Sequence, residues 1–162
     1  YLYAPESNRI QLLDFGATRD YPQASRSALR SLLAACSGGS DHDLADAAAG
    51  VGYLADRDPA GYRRSVVGLL RTATEPLRAA QPFVFGGSDM AQRMSDALLE
   101  MRLRDGFGRL PPTEVLYLHR KLGGLYLLLA RLRAVVDVRA LAAPYLAHTG
   151  RRHAINAQQG AA

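Results

Sequence analysis

The stretch RIQLLDFGATRDY, Arg9 to Tyr21, governs how the rest of the chain is read. Arg9 to Leu13 has the apolar content of a short strand, Asp14-Phe15-Gly16 marks its exit, and a polar turn follows. Tyr1 to Tyr3 forms a second extended run. APESN (Ala4 to Asn8) between the two supplies Pro, Ser and Asn, residues that favour turns. The two runs therefore read as a β-hairpin with Asp14 just beyond it.

Everything downstream reads helical. Pro22 starts a helix in which Leu29, Leu32, Leu33 and Cys36 recur at helical spacing, and Gly38-Gly39 stops it. Asp41 or Asp43 is the expected cap of a second helix reaching Val51. Pro59 opens a third with Val66, Leu69, Leu70 and Leu77 facing inward. QPFVFGGSD (Gln81 to Asp89) reads as a loop. Ser88 or Asp89 then caps a fourth helix carrying Met94, Leu98, Met101 and Leu103.

Pro111-Pro112 starts the longest helix, where proline's missing N–H would have no partner, and Glu114 suits the positive end of the dipole. Val115, Leu118, Leu122, Leu125, Leu129 and Leu132 repeat every three or four residues, which predicts one buried face. A shorter helix runs from Val138 to His148, and residues 149–162 are expected to be a polar, disordered tail. The predicted fold is mainly α, one N-terminal hairpin followed by about six helices within a single unit over 1–148. Two strands alone are marginal, so the hairpin is expected to pack on helices or on protein outside this chain.

At 162 residues and 48% apolar the chain can bury a real core. The longest apolar run, Leu122 to Ala130, is flanked by Lys121 and Arg131 and is too short to span a bilayer. The N-terminus has no signal-peptide pattern, and without an initiator methionine the chain reads as the trailing part of something longer. Cys36 is the only cysteine, which excludes an internal disulfide, and its register with Leu29, Leu32 and Leu33 predicts a buried thiol. A net charge of +5, almost all from arginine, suits anionic partners. The arginines are spread along helices without a run, so a solvated surface is the expectation, and no nucleic-acid partner is assigned.

The chemistry sits at Asp14-Phe15-Gly16. In protein kinases an aspartate leaving a hairpin binds the Mg²⁺ that bridges nucleotide phosphates, the Phe fixes where the carboxylate points, and the Gly permits the turn. Other constellations carry less. Asp41, Asp43 and Asp46 lack the glycine-centred loop of a calcium site and read as a helix start. His42, His148 and His153 have no zinc spacing, no G-x-S-x-G is present, and Arg151-Arg152 are too few to anchor the chain on lipid. His119, Gly123 and Gly124 are candidates for a structural or ligand-proximal role. Two glycines inside a helix imply a close approach to the backbone, and helix packing is its expected cause.

LLDFGATRDY (Leu12 to Tyr21), followed by helices and then LHRKLGG (Leu118 to Gly124), resembles the UbiB-type atypical kinases, also called aarF-domain-containing or ADCK kinases. GYL (Gly52 to Leu54) and QPFVFGG (Gln81 to Gly87) sit where members have comparable segments, so the likeness runs to about His148. It implies the C-terminal lobe of a protein-kinase-like fold, with Asp14 as Mg²⁺ ligand, Phe15 and Gly16 positioning it, and Mg²⁺ and ATP as cofactors. Arg19 and Asp20 match family positions, for local structure only.

The family likeness further implies ATPase or small-molecule kinase activity in the biosynthesis of ubiquinone or related prenyl lipids. Partners would be nucleotide, prenyl-lipid or quinone precursors, and biosynthetic enzymes at the membrane surface. Departures from the family are substantial: the asparagine metal ligand, the catalytic-loop aspartate, the phosphate-pairing lysine, its glutamate partner, the alanine-rich nucleotide loop and the KxGQ extension are not in this chain. No catalytic residue is therefore assigned, and the isolated chain is expected to be inactive. A non-catalytic helical partner-binding module or truncated remnant is the alternative. An aminoglycoside- or choline-type phosphotransferase also places a metal aspartate after a hairpin, but LHRKLGG argues against it. The abundance of Ala, Arg, Leu and Gly with a single Lys suggests a GC-rich, bacterial genome, and the family's lipid pathway, not any anchor in the sequence, implies a cytoplasmic protein peripheral at the inner membrane.

Overall fold

The computed structural model describes residues 2–11, 18–105 and 111–146. Asp14, Phe15, Gly16, His148, His153 and the tail 149–162 lie outside them. β1 (Leu2–Ala4) and β2 (Arg9–Gln11) pair antiparallel, with Leu2 opposite Gln11, Tyr3 opposite Ile10 and Ala4 opposite Arg9. The turn closes because Asn8 accepts a left-handed φ of 52°. Its Oδ1 accepts from the Tyr3 hydroxyl at 3.0 Å, and Ser7 N–H donates to the Ala4 carbonyl at 3.2 Å. Both strands keep most of their side chains exposed.

The core is built by α1 (Gln23–Gly38), α2 (Asp41–Val51), α3 (Ala60–Ala73) and α4 (Glu75–Arg78). Leu32, Ala35 and Cys36 of α1 meet Leu44, Ala48 and Val51 of α2, and Val66, Val67 and Leu77 close the cluster. Leu44 is fully buried and Cys36 nearly so; burial pushes the Cys36 thiol above its ordinary pKa. The thiol is therefore protonated and inert, as its register predicts.

Two local readings are corrected here. The cap of α2 is Ser40, not Asp41 or Asp43. Ser40 Oγ accepts from Asp43 N–H at 3.2 Å while Asp43 Oδ2 accepts from Ser40 N–H at 2.8 Å, a capping box with Asp in the glutamate position. Asp41 instead meets Arg71 at 2.9 Å. The third helix, predicted to run through Leu77, breaks at Thr74, because Pro76 cannot donate to the helical ladder and its ring crowds the preceding turn.

Arg78 ties that break to α1. Its guanidinium donates to the Cys36 carbonyl at 2.8 Å, to Thr74 Oγ1 at 2.9 Å and to the Arg71 carbonyl at 2.5 Å. Replacing it strands partly buried carbonyls. Arg78→Met is expected to lower the unfolding free energy by about 2–3 kcal/mol in urea titration.

β3 (Phe83–Val84) and β4 (Val135–Val136) pair antiparallel, placing a short ladder in the stretch read as a loop. Two-residue strands are too short to show an alternating pattern. Phe85 extends the join by donating its N–H to the Ala134 carbonyl at 2.9 Å, and its ring meets Tyr126 edge-on at 5.7 Å. Three further helices complete the described chain: α5 (Met90–Asp105), α6 (Thr113–Arg131) and α7 (138–146).

The buried face predicted for α6 is not formed. Val115 alone on this helix is buried, Leu118 and Leu129 are half-buried, and Leu122, Leu125 and Leu132 are exposed, Leu132 to 66%. Leu98 and Leu103 of α5 are exposed as well. The reason is geometric: only the first two turns of α6, through Val115, Leu118 and His119, reach the α1–α4 cluster and Tyr53 beside it, while the later leucines lie exposed. Among the described residues no helix is long and apolar enough to cross a membrane.

Candidate functional site

Residues 18–21, which leave the Asp-Phe-Gly segment, are laid across the start of α6. The Tyr21 hydroxyl donates to the Glu114 carbonyl at 3.1 Å, and the Arg19 guanidinium lies 4.2 Å from the centre of the Tyr117 ring. The first turns of α1 bring Arg26, Leu29 and Arg30 to the same place. These residues, with Asp20 and Leu118, line an open cleft of about 560 Å³. Arg19 and Asp20, expected to serve local structure, thus also face a cavity.

A second junction joins two family-like strings. The Tyr53 hydroxyl and His119 Nε2 are 2.5 Å apart, and their rings stack at 5.5 Å with an interplanar angle of 12°. Burial pushes Tyr53 up to about 12 and His119 below its ordinary value, so at neutral pH the phenol donates to a neutral imidazole. Next to Tyr53, Gly52 caps α2 at a φ of 95°, and a Cβ there would lie 3.0 Å from the Pro112 ring. GYL and LHRKLGG are therefore in contact, with glycine required at their joint.

The packing expected at Gly123 and Gly124 is absent among the described residues: a Cβ at either would meet nothing within 4 Å. Both lie on the exposed side of α6. Gly124→Ala is thus expected to raise stability, by up to about 1 kcal/mol, through helix propensity alone. A lower melting temperature would show that the glycine faces a neighbour.

No group of three or more His, Cys, Asp or Glu side chains among the described residues could hold a metal ion. Asp43 is committed to its cap, Asp41 to Arg71, and Asp46 lies 3.5 Å from His42. Tyr53 lies within GYL, whereas no motif in the sequence marks Arg26, Arg30 or Tyr117. The i, i+4 spacing of Arg26 and Arg30 was visible as a same-face pair, but Arg19 joins them only through the tertiary fold.

A hairpin, a helical core and a joint between GYL and LHRKLGG define a mainly helical, kinase-like C-terminal lobe segment. No family model matches the chain. It is 30% identical over 134 residues to the atypical kinase COQ8B, mitochondrial, of Danio rerio, covering 83% of this chain and 21% of that protein. It is also 30% identical over 132 residues to the atypical kinase coq-8, mitochondrial, of Caenorhabditis elegans, covering 80% of the chain and 17% of that protein. Against the atypical kinase COQ8, mitochondrial, of Saccharomyces cerevisiae it is 29% identical over 143 residues, 84% of the chain and 27% of that protein. The chain belongs to the UbiB-type atypical kinases. It spans about a fifth of the length of these curated relatives.

Proposed function

We propose that this chain is the C-terminal lobe part of a UbiB-type atypical kinase or ATPase that works on Mg-ATP, with Asp14 as the metal ligand and Phe15 and Gly16 setting its direction. The observation that carries the reading is the similarity to atypical kinases over four-fifths of the chain. Asp14 offers one hard oxygen donor. Mg²⁺ keeps several waters and takes phosphate oxygens, so the ion's remaining shell comes from nucleotide, solvent and donors elsewhere in the full-length protein. Bound Mg²⁺ would neutralise charge developing on the transferred phosphoryl group. The 162-residue chain alone turns over no ATP in this reading. The biological setting is synthesis of ubiquinone or a related prenyl lipid, at the cytoplasmic face of a bacterial inner membrane. The test is Mg²⁺-dependent nucleotide binding by the full-length protein with and without Asp14→Asn.

One observation favours a second reading, a helical module that binds a partner: the exposed leucines of α6. An apolar face of that kind is suited to being covered. The same leucines serve the first reading if other parts of a kinase domain lie upon them.

A further inference from the structure

The cleft between residues 19–21, the start of α1 and Leu118 has three arginines in its lining and one carboxylate, Asp20. Arg26 and Arg30 are one turn apart on the same side of α1 and both are exposed. Among the described residues neither forms an ion pair, and the first turn of α1 has no acidic residue. By contrast, Arg71 and Arg78 are committed to carbonyls at the helix junction, and Arg93 bridges Glu75 and Asp89. Arg19 is oriented by its contact with the Tyr117 ring. Leu29 and Leu118 give the cleft an apolar component that strengthens charge interactions beside them.

Like charges lining one cleft repel one another, and an anion between them relieves that repulsion. Guanidinium forks match the oxygens of a phosphoryl group, which accepts several charge-assisted hydrogen bonds at once. We propose that this cleft binds the phosphate or diphosphate group of a soluble ligand, through Arg26 and Arg30 with Arg19 beside them. It involves neither Asp14 nor a metal, so it stands apart from the kinase reading.

The test is titration of the purified chain with inorganic pyrophosphate in EDTA, followed by calorimetry and by the arginine Nε–Hε resonances. Saturable binding with shifts at Arg26 and Arg30 is expected. Arg26→Gln with Arg30→Gln should weaken it roughly a hundredfold, since each lost charge-assisted contact is worth about a factor of ten. The lysine pair should restore part of the affinity. The melting temperature should be unchanged or higher, because removing mutual repulsion costs the fold nothing; a purely structural role would lower it. Equal affinity in wild type and the glutamine pair overturns the proposal. So does the absence of saturable binding, including the case where the chain binds only phosphatidylglycerol vesicles. If the glutamine pair does not fold, the wild-type resonances decide: no shift at Arg26 or Arg30 overturns it. With EDTA present, failure here is distinct from failure of Mg²⁺-dependent nucleotide binding.

Discussion

Leu44→Ala is expected to lower the unfolding free energy by about 3–5 kcal/mol, the upper part of the range for leucine truncation in a rigid core. Leu44 is fully buried, and the capping box at Ser40 holds the first turn of α2 rigidly over α1. The cavity therefore cannot collapse easily. Domains of this size have about 5–15 kcal/mol of stability in total, so the substitution should show as a large fall in melting temperature. Leu127→Ala is the matched control. Leu127 is 64% exposed on α6, and its truncation should change stability by no more than about 0.5 kcal/mol. A loss at Leu127 comparable to that at Leu44 would mean that the α6 face is buried in the folded chain.

That contrast shows what a sequence can and cannot report. The starts of α1, α3 and α6 and the end of α1 are readable because Pro22, Pro59, Pro112 and Gly39 act locally, through missing donors and permissive backbone. The hairpin was readable from turn chemistry at Pro5 to Asn8, where Asn8 takes a positive φ. The burial expected for the α6 face is not found, because periodicity says only that a face is apolar and nothing about what lies on it. Ser40, not one of its acidic neighbours, is the cap because the backbone stays extended through Gly39 and Ser40 and turns helical only at Asp41. The β3–β4 ladder joins residues some fifty positions apart through strands too short to carry a pattern.

The site divides in the same way. LHRKLGG and GYL were visible as strings, yet their joint through Tyr53 and His119 is a tertiary fact. The cleft of Arg19, Arg26 and Arg30 needed the fold-back of residues 18–21 onto α6. Gly123-Gly124 drew an expectation of packing because buried approach is the usual reason for glycine in a helix; on α6 the backbone there faces open space.

The second large effect concerns Asp14. A carboxylate that binds Mg²⁺ contributes a full negative charge and a hard oxygen, and asparagine keeps the shape while removing the charge. Disturbing even the groups that orient a metal ligand typically costs ten- to a hundredfold in affinity. Losing the ligand's charge should therefore weaken Mg²⁺-dependent nucleotide binding by roughly a hundredfold or more. The fold should be unaffected, because the described core is built from α1 to α4 and Val115, far along the sequence from that residue.

The decisive measurement is calorimetric titration of ATP into the full-length protein, with Mg²⁺ and with EDTA, for wild type and Asp14→Asn. The account predicts tight binding by wild type with Mg²⁺ and its loss on either chelation or substitution. Equal affinity in both proteins, with and without the metal, would contradict it.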